Sequence, residues 1–271
     1  SVPEGVTEAY VCSARPAEQI AKTMARKVLP FLKKKEGGEM PPMSGFYTGS
    51  KFDATRLVLG DMRYFKTSAT PMPDTRLAVS VLLDESGSMS QSNRIGFART
   101  AALTLYLFCQ ECGIPCSVHG HTSPFSDGNF RRSGHHLRAG SLVINSYAEF
   151  DTPDDKDKYR IMCASAQEDN RDGAAILYTG TRLLKRPEPT KLMFIISDGA
   201  PASTGYYGAA AEHDMAMIVA NLRRKGVIVF SMAIGSDKAN IHRIFGDGFI
   251  DINDLSTVPD QLLSLVKRFI R

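Results

Sequence analysis

Long apolar runs are missing from this sequence. None reaches the ~20 residues that a bilayer span requires, and no basic-then-apolar leader opens the chain, so neither a membrane helix nor an export signal is expected. Cysteine is scarce as well: five in 271 residues, an odd and thinly spread set that builds no disulfide framework and fits a reducing, cytoplasmic compartment. Charge of one sign is not in excess. The net charge is +4 with a pI near 8.7, and the basic residues are scattered, so no Lys/Arg stripe invites nucleic acid or an anionic membrane surface. No Gly-x-x-x-x-Gly-Lys-Ser/Thr loop is present to cradle ATP phosphates, and no Gly-x-Ser-x-Gly elbow to present a nucleophilic serine. What remains is ordinary globular composition, 43% hydrophobic and 23% charged, enough for one large domain or one plus an appendage. A chain that opens on Ser1 rather than Met is expected to be a piece of a longer protein.

The chain changes character near Pro71 to Pro73. Residues 1–74 are rich in Pro, Gly and Lys. There "AEQIAKTMARKVLPFLKK" sets Ile20, Met24, Val28 and Leu32 at helical spacing, with Pro30 expected to end or kink the helix. "GFYTGSKFDATRLVLGDMRYFK" then has Gly and Asp turn signals between short β-prone runs, as in a hairpin. The expectation for 1–74 is an N-terminal helix-plus-hairpin appendage. Residues 75–271 instead alternate strand-length apolar runs ("LAVSVLL", "CSVHGH", "SLVINS", "KLMFIIS", "VIVFSMAIG") with amphipathic stretches. Near-continuous apolar strands belong to a parallel sheet covered on both faces. One intervening helix, "RIGFARTAALTLYLFCQE", puts Ile95, Ala98, Ala102, Leu105 and Cys109 on one face, with Gly113 as its stop. A second, "AAAEHDMAMIVANLRRKG", ends on cations and Gly226, and "VPDQLLSLVKRFIR" reads as a closing helix. With no internal repeat, the predicted fold is a doubly wound α/β domain with a mostly parallel sheet and helices on both faces.

In such a sheet, ligands sit outside the carboxyl ends of the strands. "VLLDESGSMS" falls at one of these ends. Asp84, Ser86 and Ser88, held in a turn by Gly87, can converge their oxygens on one hard cation, and a single carboxylate with two hydroxyls suits Mg²⁺. "FIISDGAP" repeats the device, with Asp198 following a second apolar run. The simpler account is that a serine caps the next helix and Asp84 closes an Asx turn. It explains any one of these residues but not the whole set.

"DESGSM" resembles the Asp-x-Ser-x-Ser motif of von Willebrand factor A domains, whose metal-ion-dependent adhesion site holds Mg²⁺ or Mn²⁺ above the sheet. "NRDGAAILYTGTRLLKRPEPTKLMFIISDGAP", residues 170–201, is similar to the corresponding stretch of CobT-type cobaltochelatase subunits and of the nitric-oxide-reductase activation proteins akin to them. The likeness covers about residues 75–271. In most A domains a Thr supplies a further oxygen. Here Asn170 stands in its place and Asp172 lies two residues on, so either completes the shell. The resemblance implies a non-catalytic, metal-dependent protein-interaction module. It also implies an AAA+ ATPase partner of the MoxR or chelatase type, in cobaltochelatase-like metal insertion or in maturation of a target protein. An ion with few anionic ligands can also accept an acidic residue of the partner.

Other features compete. Cys109-x-x-Cys112, with Cys116 nearby, sits at a predicted helix C-terminus where the dipole opposes a thiolate, so reduced core thiols are expected. His119, His121, His135 and His136 could supply nitrogens to a transition metal, since His119 and His121 would share a strand face, but with no ligand partner at sequence spacing they read as a solvated loop. The loop "SDGNFRRSGHHLRAG" offers Arg131 and Arg132 to an acidic partner, and Tyr206 and Tyr207 stand beside the proposed metal as core or interface residues. The enzymatic rival is a Mg²⁺-dependent phosphotransferase or phosphatase using Asp84 as nucleophile. That type carries a second Asp where Ser86 stands.

Overall fold

The computed structural model describes residues 4–35, 39–40, 44–66, 70–71, 76–125, 140–199, 201–234, 238–246, 248–251, 261 and 264. The chain divides into two compact units, one of Ser1–Val28 with Arg76–Arg271 and one of Leu29–Thr75. The opening helix therefore groups largely with the α/β unit, not with the expected appendage. This helix, α1 (Glu4–Lys35), runs on through Pro30, where a stop or kink was expected from the lost N–H. Its buried residues Ala14, Ala17, Ala21, Met24 and Val28 recur every three or four positions, the spacing of a single helix face.

The smaller unit holds β1 (Glu39–Met40), β2 (Ser44–Phe46), β3 (Lys51–Phe52), a 3₁₀ helix (Ala54–Leu59), β4 (Phe65–Lys66) and β5 (Thr70–Pro71). In place of a plain hairpin, β2, β4 and β3 form an antiparallel sheet with β4 in the middle, while β1 pairs with β5. Asp53 caps the 3₁₀ helix by accepting from Thr55 N at 3.2 Å.

The larger unit continues with β6 (Leu77–Asp84), a 3₁₀ segment (Gly87–Asn93), α2 (Arg94–Cys112), β7 (Cys116–Thr122) and β8 (Val143–Ala148). After these come α3 (Asp157–Met162), α4 (Asp172–Leu184), β9 (Thr190–Ser197), β10 (Ala202–Ser203) and β11 (Tyr206–Tyr207). The chain ends through α5 (Gly208–Arg224), β12 (Val227–Ala233), α6 (Lys238–Phe245) and β13 (Phe249–Asp251). The main sheet has the order β13-β12-β9-β6-β7-β8. All neighbours are parallel except β7 and β8, which are antiparallel. "SLVINS" is thus an edge strand of opposite direction, and its partial exposure fits an edge.

Alternate residues of the central strands feed the two faces, as the period-two geometry of a strand requires. Leu77, Val79, Leu192 and Phe194 meet Val28 of α1 and Leu105, Phe108 and Cys109 of α2. Ala78, Leu82, Met193 and Ile195 pack with Ile176 and Leu183 of α4, Met215 and Ile218 of α5, and Ile244 of α6. The face predicted for α2 is the buried one, and Gly113 ends that helix in the left-handed region at φ 66°. Cys109 and Cys116 are buried free thiols, and burial pushes Cys109 well above the usual thiol range. Most of the "VPDQLLSLVKRFIR" stretch lies outside the described residues.

Chain order places the strand after β6 on one side of it, at β7, and returns to the other side at β9. β6 therefore stands at the switch point where a doubly wound sheet opens its binding crevice.

Candidate metal centre

Asp84 ends β6 and is fully buried, and its carboxylate is held from three sides. Ser86 N donates to Oδ1 at 2.9 Å, Ser197 Oγ to Oδ2 at 2.9 Å, and Asn170 Nδ2 to Oδ2 at 3.3 Å. The Asx turn of the simpler account is present, but the serine cap is not. α2 begins after Ser92 and Asn93, both left-handed (φ 49° and 56°), and no side chain caps it. Ser86 and Ser88 instead turn their hydroxyls to each other, 3.0 Å apart. Gly87 lets the 165–169 segment approach. Its N donates to Glu168 O at 2.6 Å, and a Cβ there would lie 3.3 Å from Gln167 O.

That segment delivers Asn170 and Asp172. Asn170 is engaged on both sides of its amide, since its Oδ1 accepts from Ala202 N at 2.6 Å while its Nδ2 faces Asp84. Asp172 differs. It opens α4, is 1% exposed, and among the described residues neither of its carboxylate oxygens has a hydrogen-bond partner from another residue. Of the two candidates to complete the shell, Asp172 is the one with oxygens to offer. Asp198, just past β9, is buried and receives Arg94 Nη1 on Oδ2 at 2.9 Å. Burial raises the Asp84 carboxyl above the ordinary carboxylate range. It raises Asp172 as well, where the negative charges of Asp84 and Asp198 add to the burial.

Sequence spacing gave His121 no partner. β6 and β7 run parallel with Asp84 opposite His121, so both strands finish at the same edge. His121 is not in a solvated loop: it is fully buried, and Nε2 lies 3.5 Å from Asp172 Oδ1. One ligand atom each from Asp84, His121 and Asp172 lie within 4.8 Å of one another. Burial lowers the His121 pKa to about 4, so its ring is neutral at pH 7. His119, also buried on β7, has ordinary partners in Glu149 (3.2 Å) and Arg182 (3.3 Å).

A divalent cation fits this donor set. Asp84 and Asp172 are buried carboxylates that repel one another, and among the described residues neither is paired with a Lys or Arg as Asp198 is with Arg94. Asp84, Asp172 and Asp198, with the Ser86 and Ser88 hydroxyls, would hold the ion.

The tyrosines separate. Tyr206 is 1% exposed, accepts from Gly173 N at 3.1 Å and donates to Asp214 Oδ2 at 3.2 Å. It is a core residue beside the site, closed to any partner, because an apolar ring with its hydroxyl satisfied is most stable inside. Tyr207 is 69% exposed. Arg131, Arg132, His135 and His136 lie outside the described residues.

Residues 72–256 match the family described as the cobalamin biosynthesis protein CobT VWA domain. The uncharacterized protein YojO of Bacillus subtilis is 31% identical over 214 residues, 77% of this chain and 32% of that protein. Protein NorD of Brucella suis is 26% identical over 199 residues, covering 70% and 29%. The chain thus spans about a third of the length of these curated relatives. Among solved structures, the vWF domain of the pilus tip protein Mfa5 from Porphyromonas gingivalis matches with a TM-score of 0.50 at 9% identity, covering 74% of this chain and 98% of that one. BatB from Bacteroides thetaiotaomicron gives 0.50 at 13%, covering 71% and 98%. At such identities these likenesses speak for the fold alone, a von Willebrand factor A fold.

Proposed function

The chain belongs to the CobT VWA-domain family, and from that premise we propose that it is a non-catalytic, divalent-cation-dependent protein-interaction module. In this reading it serves an AAA+ ATPase of the MoxR or chelatase type, in chelatase-like metal insertion or in maturation of a target protein. The observation that carries the reading is Asp172. It is a buried carboxylate with both oxygens unpartnered among the described residues, and one of them lies within 4.8 Å of an Asp84 oxygen on the carboxyl edge of the sheet. A bound Mg²⁺ or Mn²⁺ would neutralise this carboxylate cluster and present an electrophilic point to an acidic side chain of the partner. The family likeness supports the ATPase partner.

The rival reading needs Asp84 to attack a phosphoryl group. Its carboxylate is fully buried, with hydrogen bonds on both oxygens, a poor presentation for a nucleophile. The chain's own residues orient and hold charge there.

A pull-down of the cognate AAA+ ATPase at fixed ionic strength, in Mg²⁺ and in EDTA, tests the proposal. Capture is expected in Mg²⁺ and lost both in EDTA and on Asp198→Ala. Arg131→Ala and Arg132→Ala should chiefly slow association and change its salt dependence, as rim charges do. Undiminished capture by verified metal-free protein would sink the bridging-ion reading, and turnover of a phosphate ester with Mg²⁺ would favour the rival.

A further inference from the structure

We infer that His121 is a nitrogen ligand of this centre, and that the centre therefore selects a later first-row transition dication such as Co²⁺ or Zn²⁺ over Mg²⁺. The inference rests on the reading of the centre as a cation site and adds to it a ligand and an ion class. The Asp-x-Ser-x-Ser set supplies oxygen only, which suits hard cations. One imidazole changes that preference, because nitrogen donors favour the borderline first-row ions while Mg²⁺ favours oxygen and water.

Three observations carry it. First, the parallel register of β6 and β7 sets His121 opposite Asp84, so the ring is fixed at the strand end that holds the carboxylates. Second, His121 is fully buried and neither ring nitrogen has a hydrogen-bond partner, while both Asp172 oxygens are equally bare. Buried polar groups are nearly always satisfied. One ion between the two side chains would take one imidazole nitrogen and one or both Asp172 oxygens, satisfying up to three of these four atoms. Third, the gap of 3.5 Å between His121 Nε2 and Asp172 Oδ1 exceeds the 2.7–3.2 Å or so of an ordinary N–H···O bond. Two ligands bound to one metal at about 2.0–2.2 Å each stand roughly 3.0–3.5 Å apart. A direct His121–Asp172 hydrogen bond would still leave one nitrogen and one oxygen bare.

The contrast within β7 is informative. His119, two residues earlier and also buried, has Glu149 and Arg182 at Nε2. Its Nδ1 is bare as well, so the difference is that burial leaves one nitrogen of His119 unpartnered and both nitrogens of His121.

The test uses the full chain stripped of metal. Isothermal titration with MgCl₂, CoCl₂ and ZnCl₂ should show Co²⁺ and Zn²⁺ binding at least about 10-fold more tightly than Mg²⁺, since loss of even a supporting ligand contact costs ~10–100-fold. His121→Gln should remove that advantage and move Mg²⁺ affinity less than about 3-fold, whereas Asp172→Asn should weaken every ion. Because His121→Gln alters the core, a measurement on the unmodified protein stands beside it. Electron spin-echo modulation of bound Mn²⁺ should show a directly coordinated ¹⁴N. Absence of ¹⁴N modulation, or equal losses for Mg²⁺ and Co²⁺ in His121→Gln, would overturn the inference and leave an oxygen-only cation site standing. Failure of every ion to bind would remove both the inference and the reading beneath it.

Discussion

Replacing Asp172 with Asn should change the sign of its effect on stability when a cation is added. Without metal, Asp172 is a buried carboxyl that among the described residues has no donor from another residue on either oxygen, pressed by Asp84 and Asp198. Leaving a buried polar group unsatisfied costs ~1–3 kcal/mol. An Asn keeps the shape, removes the charge and can donate to Asp84, so the metal-free variant should gain roughly that amount. At ~2–4 °C per kcal/mol for a chain of this size, the gain is about 2–12 °C in Tm. A carboxyl whose folded pKa lies above its unfolded value holds its proton better in the folded state. Its contribution is therefore lost as pH rises from the unfolded pKa through the folded one. The advantage of the variant in EDTA should accordingly widen toward alkaline pH. With a saturating dication the order reverses. An ion at ~100 times its Kd stabilises the wild type by about 2.7 kcal/mol, or about 5–11 °C, and the variant loses most of this. Differential scanning calorimetry in EDTA and across an ion titration reads both arms. A variant that melts below wild type in EDTA and keeps the full ion increment would refute the reasoning.

Two further outcomes follow from the packing. A Cβ on Gly173 would strike the Tyr206 hydroxyl and come within 2.8 Å of Asp214 Oδ2. Gly173→Ala should therefore destabilise by ~1–3 kcal/mol, and Tyr206→Phe in the same chain should recover part of it by removing the struck atom; additive losses in chemical denaturation would contradict this. Cys163 is exposed, whereas Cys109 is buried with its pKa well raised. Peptide mapping after thiol labelling should find Cys163 modified in the native state and Cys109 only on unfolding; native labelling of Cys109 would argue against the packing.

Much of this molecule is legible in one dimension. The apolar runs that became β6, β7, β9 and β12 and the Ile95-to-Cys109 face of α2 declare themselves, because strand and helix periods are local properties. So do Asp84, Ser86, Ser88 and Asp198, because a polar residue straight after an apolar run must lie at a strand end. The unread parts depend on neighbours distant in sequence. His121 joins the centre only through the β6–β7 register, and Asn170 and Asp172 are told apart only by Ala202, whose N occupies the Asn170 oxygen. Tyr206 is interior because Asp214 and Gly173 satisfy its hydroxyl, which no spacing rule foresees. Pro30 sits within α1, whose backbone stays helical to Lys35 despite the local penalty.

The centre is drawn from remote stretches of chain, with contacts from Asp84 spanning 86 residues to Asn170 and 113 to Ser197. Nothing local can assemble it. The three strand ends meet only once β7, β6 and β9 are aligned, so closure of these long loops must precede any hold on an ion. An ion held there would act late on the folding pathway. Interactions absent from the transition state leave the folding rate nearly untouched and slow unfolding instead. In the proposed reading, a bound cation would govern how long the folded edge persists rather than how fast it forms, and the lifetime of that edge would follow the ion supply.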